Sequence, residues 1–142
     1  MRPIVHTMAT STWRALAVSV AVLVVGMAGV ASAKTVTAYN IVSPSKLISC
    51  WAVLQSTEID CTAPYLPDIG DLDSYFSLKP NGKAKLAQRG DFPGHSTPRR
   101  TLRYGDTWVR PGIRCTIRTT GLTCRNRDNH GFHIQKGNTR RF

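Results

Sequence analysis

Four cysteines form two short pairs, and both pairs lie within the same apolar pattern. Ile-Ser-Cys and Ile-Asp-Cys contain Cys50 and Cys61, while Ile-Arg-Cys and Leu-Thr-Cys contain Cys115 and Cys124. Each pair fits the two strands of a β-hairpin, so the spacing predicts two disulfide-stapled hairpins. Four cysteines allow three pairings; facing positions across a short turn favour Cys50–Cys61 and Cys115–Cys124 without deciding the matter. A zinc site is the competing interpretation, but no Cys-x-x-Cys spacing supports it.

The N-terminus has the pattern of an export signal. Arg2 and Arg14 supply positive charge, residues 15–30 are almost entirely apolar, and Ala31-Ser32-Ala33 provides small residues that a signal peptidase accepts. The apolar run is shorter than the roughly 20 residues that a spanning helix needs. We therefore expect a signal peptide at residues 1–33 and one secreted domain at residues 34–142, with no transmembrane span after cleavage. An uncleaved N-terminal anchor is the alternative.

The remainder of the chain predicts an all-β fold with little helix. Short runs rich in β-branched and aromatic residues alternate with turns such as Pro80-Asn81-Gly82, and no stretch keeps a helical period. We expect a small antiparallel sheet or barrel-like domain built from the two stapled hairpins, with a first strand over residues 34–42 and a frayed basic tail over 137–142. The hairpins resemble two copies of one unit, and the sequence leaves open whether they arose by duplication.

Positive charge is concentrated near the C-terminus. The whole chain has a formal net charge of +11, and residues 99–142 carry most of that excess. Side chains alternate across a strand, so Ile113, Cys115 and Ile117 on one face leave the residues between them on the other. The outward basic residues predicted for this second hairpin are Arg114, Arg118, Arg125 and Arg127.

These four arginines form the predicted binding surface. Guanidinium groups bind phosphate and carboxylate bidentately, so the face predicts a non-enzymatic protein that binds polyanions outside the cell. Anionic envelope polymers or lipid head groups are the expected partners, nucleic acid is less favoured, and the protein is expected to be a monomer, secreted or associated with the envelope. A solvated face that only maintains solubility is the alternative.

Several motifs in the last forty residues resemble those of a known family. They are Gly112-Ile113-Arg114-Cys115-Thr116, Thr120-Gly121-Leu122-Thr123-Cys124-Arg125-Asn126 and His130-Gly131-Phe132. Together with Ser43-Pro44-Ser45 they resemble small secreted actinobacterial proteins that carry a domain of unknown function. The resemblance implies an exported, disulfide-bonded domain with no known activity, and it supplies no catalytic residue. Many members of that family carry a further cysteine pair near the middle of the chain, which is absent from this sequence.

Other side chains give weaker signals, and we expect no catalytic residue, metal or cofactor. Asp128, His130 and His133 spell Asp-x-His-x-x-His, but residues three apart on an extended segment point to opposite faces and do not converge on a metal. We expect His130 to bond backbone groups beside a turn in which Gly131 has a positive φ. The alternative function is a small secreted hydrolase such as a ribonuclease, in which Glu58 would have to meet His95, His130 or His133.

Intact mass tests the export signal and the disulfides together. Protein collected from the medium of the expressing cells should begin at Lys34 and should gain four hydrogen atoms on reduction, because two disulfides open. A mass that includes residues 1–33, or free thiols before reduction, would contradict these expectations.

Overall fold

The described part of the protein folds into two six-stranded sheets. The computed structural model describes residues 32–67, 72–89 and 99–142, and these residues contain no helix and thus no membrane-crossing helix. In spatial order, the first sheet contains β7 (Arg100–Thr101), β2 (Asn40–Val42), β3 (Ser49–Ala52), β4 (Ile59–Thr62), β5 (Asp73–Leu78) and β6 (Lys85–Arg89). The second sheet contains β1 (Thr35–Val36), β8 (Thr107–Arg110), β9 (Ile113–Arg118), β10 (Gly121–Asn126), β11 (Gly131–Ile134) and β12 (Arg140–Arg141). The all-β prediction is confirmed.

The two sheets share one topology. In each sheet a two-residue edge strand pairs parallel to its neighbour, and the remaining neighbours pair antiparallel in chain order. The edge strands are exchanged: β1 precedes β2 in the chain but pairs with β8, while β7 precedes β8 but pairs with β2. Each half of the chain therefore contributes its first strand to the other half's sheet. This repeated order supports an internal duplication, which the sequence left open.

Both stapled hairpins form as predicted. Cys50 lies directly opposite Cys61, and Cys115 lies directly opposite Cys124, with Cα separations of 4.1 and 4.0 Å. Such short separations are typical of the non-hydrogen-bonded positions of an antiparallel pair, where facing side chains come closest. All four cysteines are buried, so each disulfide lies on the core face of its hairpin. A closed loop of this length stabilises the fold by about 2.5 to 3 kcal/mol on the chain-entropy view.

One hydrophobic core joins the sheets. Phe76 on β5 pairs with Cys61, Phe132 on β11 pairs with Cys124, and the two phenyl rings stack with centroids 5.1 Å apart. The two phenylalanines therefore occupy equivalent positions in the two sheets. Trp108 on β8 is buried in the same core, and its indole Nε1 donates a hydrogen bond of 2.7 Å to the Ala38 carbonyl between β1 and β2. This bond ties the exchanged N-terminal segment to the second sheet.

Two expectations for the ends of the chain are wrong. The first strand expected over residues 34–42 is two strands, β1 and β2, that belong to different sheets. The tail expected to fray over residues 137–142 instead contains β12, which pairs with β11. Phe142 extends this pairing, since its backbone N and O exchange hydrogen bonds of 3.0 and 2.9 Å with Gly131. The export signal, except for its last two residues, lies outside the described residues.

The turn after β10 is stabilised by a single asparagine. The Asn126 side-chain nitrogen donates to the carbonyls of Lys79 and Gly82, and its side-chain oxygen accepts from the backbone of Asp128 and His130. This side chain therefore joins the turn between β10 and β11 to the turn between β5 and β6.

The positive φ expected at Gly131 lies instead at Asn129, where φ is 61°. Glycine is required at residue 131 for a different reason. A Cβ at this position would lie 1.9 Å from the Cys124 carbonyl oxygen of the neighbouring strand β10. Close approach of two backbones, rather than a left-handed conformation, therefore explains this glycine.

The stacked phenylalanines give a test of the shared core. Phe132→Ala should lower the free energy of unfolding by about 3 to 5 kcal/mol, since it removes a fully buried ring. A double-mutant cycle with Phe76→Ala should show a coupling of about 0.5 to 1.5 kcal/mol, as expected for aromatic rings in contact. Urea denaturation measures both values, and Tyr104→Ala is the matched control because Tyr104 is 49% exposed. Additive effects of the two phenylalanine substitutions would contradict the coupling.

Candidate anion-binding site

Three arginines and two threonines cover the outer surface of the hairpin formed by β9 and β10. Register places Arg114 directly opposite Arg125, Thr116 opposite Thr123, and Arg118 opposite Gly121. The alternate residues are the buried core residues, so these side chains lie on the face away from the disulfide. We call this surface the arginine face: Arg114, Thr116, Arg118, Thr123 and Arg125.

The arginine face encloses a shallow cavity. These five side chains line a volume of about 270 Å³. Small-molecule pockets usually occupy about 300 to 1,000 Å³, so this volume accommodates one anionic group and part of the unit that carries it. The threonine hydroxyls supply neutral donors and acceptors between the guanidinium groups.

No carboxylate neutralises these arginines within the part of the chain that the structure describes. The one contact under 4.0 Å between opposite charges in residues 32–67, 72–89 and 99–142 joins Lys79 to Glu58, at 3.9 Å. Like charges directly opposite each other on two strands destabilise the pairing. Arg114 and Arg125 therefore impose a cost that a bound anion would offset.

Neighbouring groups hold the guanidinium of Arg125 in a defined position. Its Cζ lies 4.3 Å from the centroid of the Phe142 ring, a cation–π distance, and its Nη1 donates to the Asn129 carbonyl at 3.3 Å. Arg114 and Arg118 are exposed and make no side-chain hydrogen bond to another described residue. The Arg125 guanidinium therefore has a defined position, whereas those of Arg114 and Arg118 can move to bind anions of different shape.

The structure brings together three of the four arginines expected at the site. Arg127 follows the end of β10 and does not line the cavity; its guanidinium carbon lies 3.3 Å from the position that a Cβ on Gly112 would occupy. Because β10 ends at Asn126, strand alternation does not place Arg127 on the same face as Arg125, and its part in anion binding stays a prediction. Register instead adds His133 and Arg140, which the alternation within one hairpin could not reveal.

His133 extends the same surface by one strand. It pairs with Thr123 in register, is only 8% exposed, and its Nδ1 lies 2.9 Å from the Thr123 hydroxyl oxygen. Its Nε2 lies 3.3 Å from the Gln135 side-chain oxygen. Arg140 pairs with His133 on the edge strand, so its side chain also belongs to this face. Both nitrogens of the imidazole are therefore engaged by neighbouring polar groups.

Among the described residues considered for hydrolysis, Glu58 and His133 make no contact with each other. Glu58 contacts Ser77 and Lys79 of the first sheet, whereas His133 contacts Thr123 and Gln135 of the second. Across the described ranges, no three histidine, cysteine, aspartate or glutamate side chains are grouped so as to hold a metal ion. His95 lies outside the described residues.

The equivalent surface of the first sheet has the opposite character. Trp51, Asp60 and Ser77 are paired in register across β3, β4 and β5, and all three are buried although they face away from the disulfide. The pKa of Asp60 is raised from 3.8 to about 6, chiefly by burial and secondly by the negative charge of Glu58, against smaller opposing effects of Ser77, Arg89 and Trp51. The same row of positions is therefore buried and contains a carboxyl group in the first sheet, whereas in the second sheet it contributes to the arginine face.

The sequence matches one family. The family described as "Family of unknown function (DUF6636)" matches residues 55–142, and the chain therefore belongs to it. No curated protein and no solved structure matches the chain. The match begins in the turn between β3 and β4, so it contains β4 to β12 and the whole arginine face.

Residues of the C-terminal motifs have structural roles in this fold. Asn126 joins two turns, Gly131 allows close approach of two backbones, and Phe132 stacks on Phe76 in the core. The contacts of these three residues are therefore structural.

The raised pKa of Asp60 predicts a pH dependence of stability. Between pH 3.8 and about 6 the folded state holds a proton that the unfolded state has released, so this carboxyl lowers stability as pH rises through that window. Asp60→Asn lacks this titration. Its free energy of unfolding, relative to the parent protein, should therefore increase from below pH 3.8 to above pH 6. Urea denaturation across this range measures the change, and the exposed Asp73→Asn is the matched control; a constant difference for Asp60→Asn would contradict the prediction.

Proposed function

We propose that this protein is an exported, non-enzymatic binding protein whose arginine face binds anionic polymers of the cell envelope. The observation that carries the proposal is the direct pairing of Arg114 with Arg125, beside Arg118, with no carboxylate within 4.0 Å in the described residues. If the arginines served only solubility, positive charges spread over the whole surface would be more favourable, because like charges held in register oppose strand pairing.

Phosphate-bearing polymers fit the face best. Arginine forms two parallel hydrogen bonds to a phosphate or carboxylate group, and three guanidinium groups around one cavity can bind successive anionic groups of a chain. The cavity volume of about 270 Å³ suits one anionic group and part of its repeating unit, so neighbouring groups of the polymer would contact the arginines around the cavity. Arg140 lies on the edge strand of the same face, so the positive surface continues beyond the cavity.

Export is part of the same proposal. Two buried disulfides are the bonds expected of an extracellular protein, and the predicted signal peptide at residues 1–33 would deliver the chain there. Actinobacterial origin, the C-terminal motifs as a mark of the family, and a monomeric state belong to the proposal as well. Lipid head groups and nucleic acid are the alternative anions, and the binding experiment distinguishes them.

Binding should weaken with salt and with charge reversal. Mature protein is titrated with poly(glycerol phosphate), with polygalacturonate, with vesicles containing phosphatidylglycerol and with single-stranded DNA, and calorimetry gives each dissociation constant. We expect tightest binding to poly(glycerol phosphate), with a salt slope of about −2 if three phosphates are neutralised. Arg125→Glu should weaken binding about tenfold or more, because a charge-assisted hydrogen bond is lost and repulsion is added.

Matched variants separate the site from overall charge. Arg100→Glu makes the same charge change on an exposed residue of β7 in the first sheet, and it should leave affinity within about twofold. Arg127→Glu should act like Arg100→Glu, because Arg127 does not line the cavity. Binding that persists unchanged in 0.5 M salt, or equal losses for Arg125→Glu and Arg100→Glu, would overturn the proposal.

A further inference from the structure

The carboxylate of Asp106 is held beside the residue that follows the predicted cleavage site. Asp106 is only 6% exposed, and its Oδ1 accepts a hydrogen bond of 3.1 Å from the backbone nitrogen of Lys34. The predicted signal peptide ends at Ala33, so this nitrogen is the one that peptide-bond cleavage would free. A buried carboxylate therefore lies within hydrogen-bond distance of a future chain terminus.

The geometry on both sides of this contact is fixed by backbone bonds. The Lys34 carbonyl accepts from the Thr107 nitrogen at 2.9 Å, which starts the parallel pairing of β1 with β8. On the opposite side, Asp106 Oδ2 accepts from the Arg103 nitrogen at 2.8 Å, and the Asp106 carbonyl accepts from Ile117 at 3.1 Å. Hydrogen bonds with backbone groups therefore hold both the Lys34 nitrogen and the Asp106 carboxylate in position.

Asp106 has no positively charged side chain to balance it. In the described ranges, no lysine, arginine or histidine nitrogen lies within 4.0 Å of its carboxylate, and both of its oxygens accept from neutral backbone amides. Buried carboxylates are normally paired with a cation, because an unpaired charge in the interior is costly. The missing cation is available at the same place if the amide nitrogen of Lys34 becomes an ammonium group.

We propose that the bond between Ala33 and Lys34 is the processing site, and that Asp106 binds the new α-ammonium group of the mature chain. A signal peptidase hydrolyses the bond with one water molecule: the carbon–nitrogen bond breaks, the hydroxyl group joins Ala33, and one proton joins the nitrogen. The amine takes a further proton from solvent at neutral pH. The hydrogen bond from a neutral amide to the carboxylate then becomes an ion pair between two opposite charges.

This inference rests on the export part of the proposed function and is independent of polymer binding. Its consequence is that removal of the leader strengthens the mature fold. While a peptide bond precedes Lys34, the nitrogen carries one hydrogen and no charge; after cleavage it presents three donors and a positive charge to a carboxylate that is already in place. The pair also secures β1, the strand that crosses from one half of the chain to the other sheet.

The decisive experiment compares three forms of the oxidised protein. One begins at Lys34, one begins at Lys34 with an acetylated α-amine, and one begins at Ser32 and so keeps an uncharged amide at Lys34. Urea denaturation at intervals from pH 6 to pH 10 gives the folding equilibrium constant of each. At pH 6.5 the free Lys34 form should have a folding constant on the order of tenfold higher than the other two.

The pH profile identifies the ammonium group as the cause. Binding to Asp106 should raise its pKa in the folded protein above the usual value of about 7.7 to 8.0. The advantage of the free Lys34 form should therefore be complete below that value and should disappear as pH rises through the raised pKa. Arg103, Tyr104, Arg118 and the Lys34 side chain lie on the adjoining elements, but all three forms contain them, so their titration cancels in the comparison.

Asp106→Asn checks the partner, and acetylation remains informative if that variant fails to fold. The substitution should remove the advantage of the free Lys34 form over the Ser32 form. Identical pH profiles for the three forms would overturn the ammonium-binding site, and an exported protein whose mass begins at a residue other than Lys34 would overturn the processing site. Loss of polymer binding with these profiles intact would instead count against the proposed function alone.

Discussion

The register of two inward-facing disulfides determines which residues reach the surface of this protein. Because Cys115 lies directly opposite Cys124, the residues one position away must also lie opposite each other, and they are Arg114 and Arg125. A slip of one residue in either strand would turn the arginines into the core. The covalent bond therefore holds two like charges face to face, an arrangement that strand pairing alone would disfavour.

The same scaffold carries two different surfaces. Thr123 and Asp60 each lie one residue before the second cysteine of their hairpin, and their partners on the next strand are His133 and Ser77. In the first sheet this row is buried and acidic, while in the second it adjoins three arginines. The equivalent phenylalanines stack in the core, so the two sheets share interior positions and differ in this row. A shared fold can therefore carry different chemistry at equivalent positions.

Local patterns in the sequence predicted the two hairpins, but they could not predict which strands pair across long stretches of the chain. Alternation of apolar and polar residues gave the inward cysteines and the outward Arg114, Arg118 and Arg125, because those contacts lie within one hairpin. No local pattern shows that β1 pairs with β8 rather than with β2. The hydrogen bonds that hold this pairing join residues far apart in the chain: the Trp108 indole with the Ala38 carbonyl, and the Thr107 nitrogen with the Lys34 carbonyl. Alternation could not locate Arg127, because β10 ends at Asn126.

The exchange of edge strands also constrains the order in which the chain can fold. β1 cannot pair until Thr107 of β8 is in place opposite Thr35. In the same way, β2 has no parallel neighbour until Arg100 of β7 is in place. Pairings so distant in sequence close large loops and slow the search for the native state. Neither sheet can therefore be completed from one half of the chain alone, and each half depends on the other for its edge strand.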